Sequence, residues 1–203
     1  MSLTINRTQA KLARWIAILH SCDRFGYLTT SQIQRLHNLG GSRNTTRILG
    51  DMSEFLSSFR EGETVWYLNA RGRKEIGSQT QRRRTLHVNH AIIRNEVYVA
   101  YRPEQWREEH TVKWDDKTLI ADALFRAKAG GPFTFLEVDN TQAMAQNERK
   151  IGLYRELCAT GRWQAKNGPF PTIMYVTVSE YRHKRLTALL HGMDAKVLTI
   201  ADL

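Results

Sequence analysis

Hydrophobic positions in the first 56 residues recur with the spacing of three amphipathic helices. The first predicted helix has one apolar face, made by Leu12, Trp15, Ile16 and Leu19, because 3.6 residues per turn bring these positions to one side. After a turn at residues 25–27 comes a second helix, LTTSQIQRLH, whose threonines are suited to cap its N-terminus. The turn NLGGS precedes a third helix over residues 43–55, with an apolar face of Ile48, Leu49, Met52, Phe55 and Leu56.

A polar turn and an apolar strand follow the third helix. The turn is REGET, and it lies between Phe59 and the strand VWYL at residues 65–68, after which NARGR starts another short helix. Three helices followed by a two-stranded hairpin is the element order of a winged helix-turn-helix. The sequence therefore predicts such a domain over residues 1–80.

The remaining residues, 81–203, show a different pattern. The polar segment GSQTQRRRT at residues 77–85 is interpreted as a linker or an exposed helix end. Beyond it we expect a helix over residues 86–100, with Leu86, Ile93 and Val97 facing inward. Strands are predicted at 106–114, 119–125, 133–138, 172–178 and 196–200, and further helices at 143–159 and 180–191. This order predicts an α/β domain with helices covering a sheet.

Charge is distributed unevenly between the two regions. The net charge of the chain is +10, of which residues 1–84 carry +8 and residues 85–203 carry +2. A concentrated positive field favours the phosphate backbone of double-stranded DNA as a partner. Solubility, an acidic protein partner or a membrane surface would also account for the charge.

Composition excludes several protein classes. No apolar run approaches the roughly 20 residues that span a bilayer, and the N-terminus has no secretory pattern, so we expect a cytoplasmic protein without a membrane segment. Cys22 and Cys158 form no spaced motif and are predicted to be buried thiols.

The third helix carries the best candidates for DNA contact, at its polar start: Ser42, Arg43, Asn44, Thr45, Thr46 and Arg47. Arg can bond guanine through two hydrogen bonds, Asn can bond adenine, and hydroxyls can bond phosphate. A solvated, well-capped helix start is the alternative. Contacts from the wing or to the DNA backbone are expected from Arg60, Arg71, Arg73 and Lys74. The three arginines at residues 82–84 either bind phosphate or form a solvated charged segment.

Spaced acids mark the second region. Asp122 interrupts an apolar strand, and Glu137 and Asp139 end the next strand on one face, since they are two positions apart. Carboxylates beside buried strands suit Mg²⁺ or Mn²⁺, so Asp122, Glu137 and Asp139 are candidate metal ligands. Glu96 and Lys150 on flanking helices could complete a catalytic set. Alternatively, the acids form structural salt bridges with Lys150, Arg149 or Arg94.

Several segments resemble the replication-relaxation family of plasmids, conjugative elements and phages. The resemblance rests on VWYLNARGRKEI, HVNHAIIRNEVYVA, IADALF, FTFLEVDNTQ and ERKIGLYREL, and it covers nearly the whole chain. It implies an N-terminal winged helix joined to a domain like the PD-(D/E)XK, or restriction-endonuclease-like, nucleases. It also implies a role in the replication or mobilisation of extrachromosomal DNA.

The resemblance implies a nuclease-like site at Glu96, Asp122 and Glu137, with two departures from the nuclease pattern. Ala121 stands where the motif has proline, and Asp139 stands where it has the catalytic lysine. Lys150 is then a candidate for a migrated catalytic lysine. Family members tend to have Gly-Thr-Glu after this strand, where this chain has Asn140, Thr141 and Gln142.

Three functions remain open on the sequence. The first is a non-catalytic DNA-binding accessory protein, acting as a dimer and helping replication or the loading of a relaxase. The second is a metal-dependent DNA endonuclease whose winged helix selects the site. The third is a transcriptional repressor whose second domain only dimerises.

Overall fold

The computed structural model describes residues 6–85 and 87–203, and residue contacts divide the chain into two units, Met1–Asn95 and Glu96–Leu203. The first unit contains the helices α1 (Arg7–Phe25), α2 (Thr30–His37), α3 (Ser42–Asp51) and α4 (Ala70–Ile76). Its strands are β1 (Leu28–Thr29), β2 (Leu56–Glu61) and β3 (Glu63–Leu68). They form an antiparallel sheet in the order β1-β3-β2.

Local side-chain chemistry fixes the ends of the short helices in this unit. The Thr29 hydroxyl accepts a hydrogen bond from the Gln32 amide, and the Gln32 side chain accepts one from the Thr29 amide, which is a capping box at the start of α2. Asn38 ends the helix in the left-handed region. The third helix is shorter than the predicted 43–55, because Leu56 already pairs with Leu68 in the β2–β3 hairpin.

The apolar face predicted for the first helix is only partly buried. Leu12 and Ile16, which share the predicted apolar face with Leu19, are 52% and 46% exposed. The core contact of α1 lies in its second half, where Ile18, Leu19 and Cys22 are buried. Leu86, expected to face inward from the next helix, lies outside the described residues.

The segment predicted as a linker lacks regular structure but packs on the first unit. The Ser78 hydroxyl bonds the Asp23 carboxylate, the Tyr27 hydroxyl donates to the Arg83 carbonyl, and Arg84 pairs with Glu61 at 2.9 Å.

Packing explains why residue contacts divide the chain between Asn95 and Glu96, while the domain bounds 1–80 and 81–203 stay a prediction. Helix α5 (Val88–Tyr101) starts in the first unit, where Val88 joins a buried cluster with Tyr27 and Val65. The Asn95 amide donates to the carbonyls of Phe25 and Tyr27, at 3.1 and 2.8 Å.

The second unit is a five-stranded mixed sheet. Its strands are β4 (Gln105–Trp114), β5 (Lys117–Arg126), β6 (Thr134–Asp139), β7 (Thr172–Thr177) and β8 (Ala195–Thr199). They follow the order β4-β5-β6-β7-β8, antiparallel from β4 to β6 and parallel from β6 to β8. The helices are α6 (Met144–Ala159), α7 (Arg162–Asn167) and α8 (Glu180–Leu189), with a final 3-10 turn, Ile200–Asp202. The mixed helix-and-sheet class was predicted, whereas α7 was not.

The core of the second unit lies between this sheet and the helices α6, α7 and α8. Its members include Phe135, Tyr154, Trp163, Tyr175 and Leu186, all of them buried. Cys22 and Cys158 are free thiols, buried and half-buried respectively, and burial raises the pKa of Cys22 to about 12. None of the helices in the described ranges combines the length and apolar character that crossing a membrane requires.

Candidate functional site

The start of α3 presents a polar, basic surface. Ser42, Arg43, Asn44, Thr46 and Arg47 are exposed, as the sequence indicated. The exception is Thr45, which is fully buried and donates its hydroxyl hydrogen to the Gly41 carbonyl at 3.2 Å. This corrects the prediction that Thr45 is available to DNA, since it faces inward with Ile48 and Leu49.

Asn44 is exposed, but both ends of its amide are engaged. Its nitrogen donates to the Leu39 carbonyl at 2.8 Å, and its oxygen accepts from Arg47 at 3.0 Å. This arrangement braces the turn before α3. Arg47 also pairs with Asp51 at 3.4 Å, and both side chains are largely exposed. An exposed ion pair is weak, so a phosphate can compete for Arg47.

The N-terminus of α3 carries no side-chain cap. Gly41 is the capping residue and has no side chain to accept the first amide hydrogens, and no acidic residue lies in the first turn. The first amides of a helix point outward with a partial positive charge and suit an anion such as phosphate. Arg43 and Ser42 lie at this end of the helix.

The basic residues expected around the wing divide between two elements. Arg60 is exposed on β2, within the hairpin. Arg71, Arg73 and Lys74 lie on α4. Arg71 pairs with Glu54 at 2.6 Å on the surface, and the half-buried Arg73 donates to the Leu68 carbonyl at 3.5 Å. Only Arg60 and Lys74 of these four are exposed without a described protein partner.

The second cluster lies where two strands of the second unit separate. β5 and β6 pair only through residues 123–125 and 134–136, so Asp122 and Glu137 occupy the first positions beyond the ladder. There the Asp122 carboxylate accepts a hydrogen bond from the Val138 amide at 2.7 Å. The sequence placed these two acids on adjacent strands, and the structure brings them to one point.

Glu137 is almost fully buried and already has two donors. Its carboxylate accepts hydrogen bonds from the Lys150 ammonium and, at 2.6 Å, from the Tyr154 hydroxyl. Burial raises the pKa of Glu137 to about 8 and the Asp122 carboxylate adds to the rise, against the opposing effect of Lys150 and Tyr154. Lys150 therefore forms a salt bridge with Glu137, which is the contact that the structural alternative in the sequence analysis expects.

Asp139 is completely enclosed by a separate set of donors. The Arg182 guanidinium bonds both carboxylate oxygens, at 2.6 and 2.5 Å, while Asn147 and Thr177 donate at 2.7 and 2.8 Å. Burial alone would raise the pKa of Asp139, but the hydrogen bonds from Arg182, Asn147 and Thr177 outweigh it and lower the pKa. The position that a catalytic lysine would take is therefore a buried ion pair.

These contacts decide how well the acids fit a divalent cation. Among residues 6–85 and 87–203, no group of three or more His, Cys, Asp and Glu side chains could hold a metal ion. Glu96, half-buried on α5, is therefore not assembled with Asp122 and Glu137 as a ligand set. Lys150 contacts the Glu137 carboxylate and Arg182 contacts the Asp139 carboxylate, so a divalent cation would have to displace these partners to reach either acid.

One buried group in this cluster lacks a partner in the described part of the chain. The Tyr175 hydroxyl makes no hydrogen bond there, although Tyr175 lies opposite Glu137 in the parallel β6–β7 register. Burial raises its pKa, and Glu137, Asp122 and Asp139 raise it further. The hydroxyl can therefore only serve as a neutral hydrogen-bonding group.

Several cluster residues were not found from the sequence. Asn147 and Tyr154 lie on the same side of α6 as the predicted Lys150, at spacings of three and four residues. Polar side chains on the buried side of a helix were the signal that could have revealed Asn147 and Tyr154. Arg182 comes from a separate helix far along the chain and left no local signal.

Comparison with known families gives one match. The family described as replication-relaxation matches residues 19–173. The chain belongs to the replication-relaxation family. Membership indicates a role in the replication of plasmids or other mobile elements. Neither the curated proteins nor the solved structures provide a match to this chain. The matched residues of this replication-relaxation protein include α3 and the cluster at Asp122 and Glu137, but not Arg182.

Proposed function

We propose that this replication-relaxation protein is a non-catalytic, double-stranded-DNA-binding accessory factor for the replication or mobilisation of a plasmid, phage or conjugative element. In this proposal the first unit is a winged helix-turn-helix, α3 is its recognition helix, and the β2–β3 hairpin is its wing.

The observation that carries the proposal is the two-sided character of α3. Thr45, Ile48 and Leu49 bury one side, while Arg43 and Arg47 project from the other beside an uncapped helix N-terminus. A helix in the major groove uses such an N-terminal turn to contact base edges and phosphates. The excess of positive charge in residues 1–84 would attract the duplex over a longer range.

Substitution of α3 tests the proposal directly. A duplex site would be selected from a random library with the full chain, and affinities then measured by fluorescence anisotropy. We expect Arg43→Ala to weaken binding by roughly 1–3 kcal/mol if Arg43 reads a base. If Arg47 contacts a phosphate, Arg47→Ala should weaken binding to all duplexes and reduce the salt slope by about 1.

Arg14→Ala on α1 provides the matched control, because Arg14 is also exposed and the substitution removes the same charge from the same unit. Equal losses for the Arg43 and Arg14 variants would show a general charge effect and reject α3 as the recognition helix. Mapping the selected site to an origin rather than a promoter would separate an accessory factor from a repressor.

A second candidate function is a DNA endonuclease, because Asp122, Glu137 and Lys150 meet at the point where β5 and β6 separate. It would require Lys150 to leave Glu137 before a cation could bind. Incubation of supercoiled DNA with the protein and Mg²⁺ or Mn²⁺, with Glu137→Gln as control, tests this candidate. Nicking that is lost in Glu137→Gln would favour the endonuclease, and intact DNA would favour the accessory factor.

A further inference from the structure

A cleft in the second unit lies apart from both sites described above. It has a volume of about 420 Å³ and runs between strand β4 and the short helix α7. The polar and charged residues that line it include Arg107, His110, Lys113, Arg162, Lys166 and Asn167. Asp122, Glu137 and Lys150 are not among the lining residues. Its volume falls within the range of about 300–1,000 Å³ that is typical of small-ligand sites.

Charge in the cleft has a single sign. Arg107, Lys113, Arg162 and Lys166 contribute four cations, and none of the described residues that line it is Asp or Glu. Arg162 pairs with Asp115 at 2.7 Å outside the lining, but the two side chains are 52% and 56% exposed. An ion pair so exposed contributes little and can be exchanged. The cleft therefore presents a positive rim to an anion.

Below this rim the cleft has an aromatic floor. Trp114 and Trp163 are buried, and Trp163 is held by its indole hydrogen bond to the Pro169 carbonyl at 3.2 Å. Phe133 packs edge-on against Trp163 with ring centroids 6.2 Å apart. Because Trp114 and Trp163 are only 3% and 5% exposed, the open apolar contact for a flat ring comes from the half-buried Phe133, over which the Arg126 guanidinium lies at 3.9 Å.

His110 adds an uncharged polar group to the lining of the cleft. Its ring packs edge-on against Trp163 at 6.3 Å. Burial lowers the pKa of His110, and the nearby Arg107 lowers it further. A neutral imidazole offers one hydrogen-bond donor and one acceptor, which suits the edge of a base.

We propose that this cleft binds a nucleotide unit of single-stranded DNA, with its phosphates on Arg107, Lys113, Arg162 and Lys166 and its base against the aromatic floor. Positive grooves combined with aromatic contacts are the usual means of binding a single strand. A duplex keeps its bases stacked, so it cannot place one in a cavity of this size. The site adds a single-strand contact to the protein, and its existence does not depend on α3.

The test measures binding of a short fluorescein-labelled oligothymidine to the full chain. The variant Lys113→Glu/Lys166→Glu reverses two rim charges, and Lys184→Glu/Lys196→Glu makes the same charge change at exposed lysines of the second unit outside the cleft. We expect the rim variant to lose at least about tenfold in affinity. Its salt slope should flatten by about 1.4, since each phosphate contact on a single strand accounts for about 0.7.

A second variant blocks the cleft with little risk to folding. Ala165 lines the cleft and is exposed on α7, so Ala165→Glu places a carboxylate in the site without disturbing the core. It should weaken oligothymidine binding, and free thymidine monophosphate should compete with the strand if one nucleotide fills the cleft. Equal losses in the rim and control variants, or unchanged binding in both cleft variants, would overturn the proposal.

Duplex binding separates this inference from the proposed function. Arg43→Ala should leave oligothymidine binding unchanged, and the cleft variants should leave binding of the selected duplex site unchanged. Binding of an acidic peptide that the rim variant abolishes, with no binding of oligothymidine, would assign the cleft to a protein partner and refute the single-strand site.

Discussion

The acid Glu137 should make the stability of the protein depend on pH in an unusual direction. The side chain is only 2% exposed, and burial, reinforced by Asp122, raises its pKa to about 8 in spite of Lys150 and Tyr154. In the unfolded chain the carboxyl has its ordinary pKa of 4.5. Between these two values the folded state binds a proton that the unfolded state has lost, so the stabilisation is complete below pH 4.5 and falls as pH rises towards 8.

The size of the effect follows from the separation of the two pKa values. A shift of one pKa unit corresponds to about 1.4 kcal/mol. The titration of Glu137 alone should therefore lower the free energy of unfolding by on the order of a few kcal/mol as pH rises across this interval. Glu137→Gln abolishes the titration and keeps an amide oxygen as acceptor for the Tyr154 hydroxyl. The variant should therefore show a flatter dependence of stability on pH than the natural protein.

Urea denaturation followed by circular dichroism, at mildly acidic and mildly alkaline pH, measures both curves. Every other titrating group is common to the two proteins, so the difference between the curves isolates Glu137. Parallel curves would refute the reasoning. A natural protein that gains stability over the variant as pH rises would show that Lys150 keeps Glu137 ionised, and it would equally refute the reasoning.

Four further substitutions, arranged as two test and control pairs, examine contacts that position the sites. Gly72→Ala should destabilise the first unit by about 1–3 kcal/mol, because the added Cβ would overlap the Phe55 carbonyl oxygen. Gly50→Ala on α3 meets open space and should stabilise by about 0.5–1 kcal/mol, so equal effects in thermal unfolding would contradict this packing argument. Arg182→Ala leaves the buried Asp139 without its main partner and should cost about 3–5 kcal/mol. Arg185→Ala, on the exposed side of α8, should change stability by no more than about 0.5 kcal/mol, and a similarly small loss for Arg182→Ala would show that the ion pair is dispensable.

The start of α3 shows which structural features can be predicted from the local sequence pattern. The NLGGS turn and the polar run after it located the helix and its exposed arginines. Pattern alone did not show that Thr45 turns inward or that Asn44 is engaged by Leu39 and Arg47. Which side of a helix is buried depends on the surface that packs against it, and that surface comes from other segments of the chain.

The cluster in the second unit shows the same limit over longer distances. Strand alternation correctly placed Glu137 and Asp139 on one face. The two acids have different partners. Lys150 and Tyr154 of α6 contact Glu137, whereas Asp139 is bound by Arg182, which lies 43 positions further along the chain. No periodicity within either strand encodes that division.

The sequence by itself determined the order of most elements, the mixed helix-and-sheet class, the family and the concentration of positive charge in the first 84 residues. These properties depend on residue type and local spacing, which the chain carries directly. The tertiary structure decided how residues 77–85 and 87–95 pack within the first unit, which partners Glu137 and Asp139 meet in Lys150, Tyr154 and Arg182, and where β4 and α7 form a cleft. Each of these brings together side chains that are distant along the chain, and burial then sets their charge and partners.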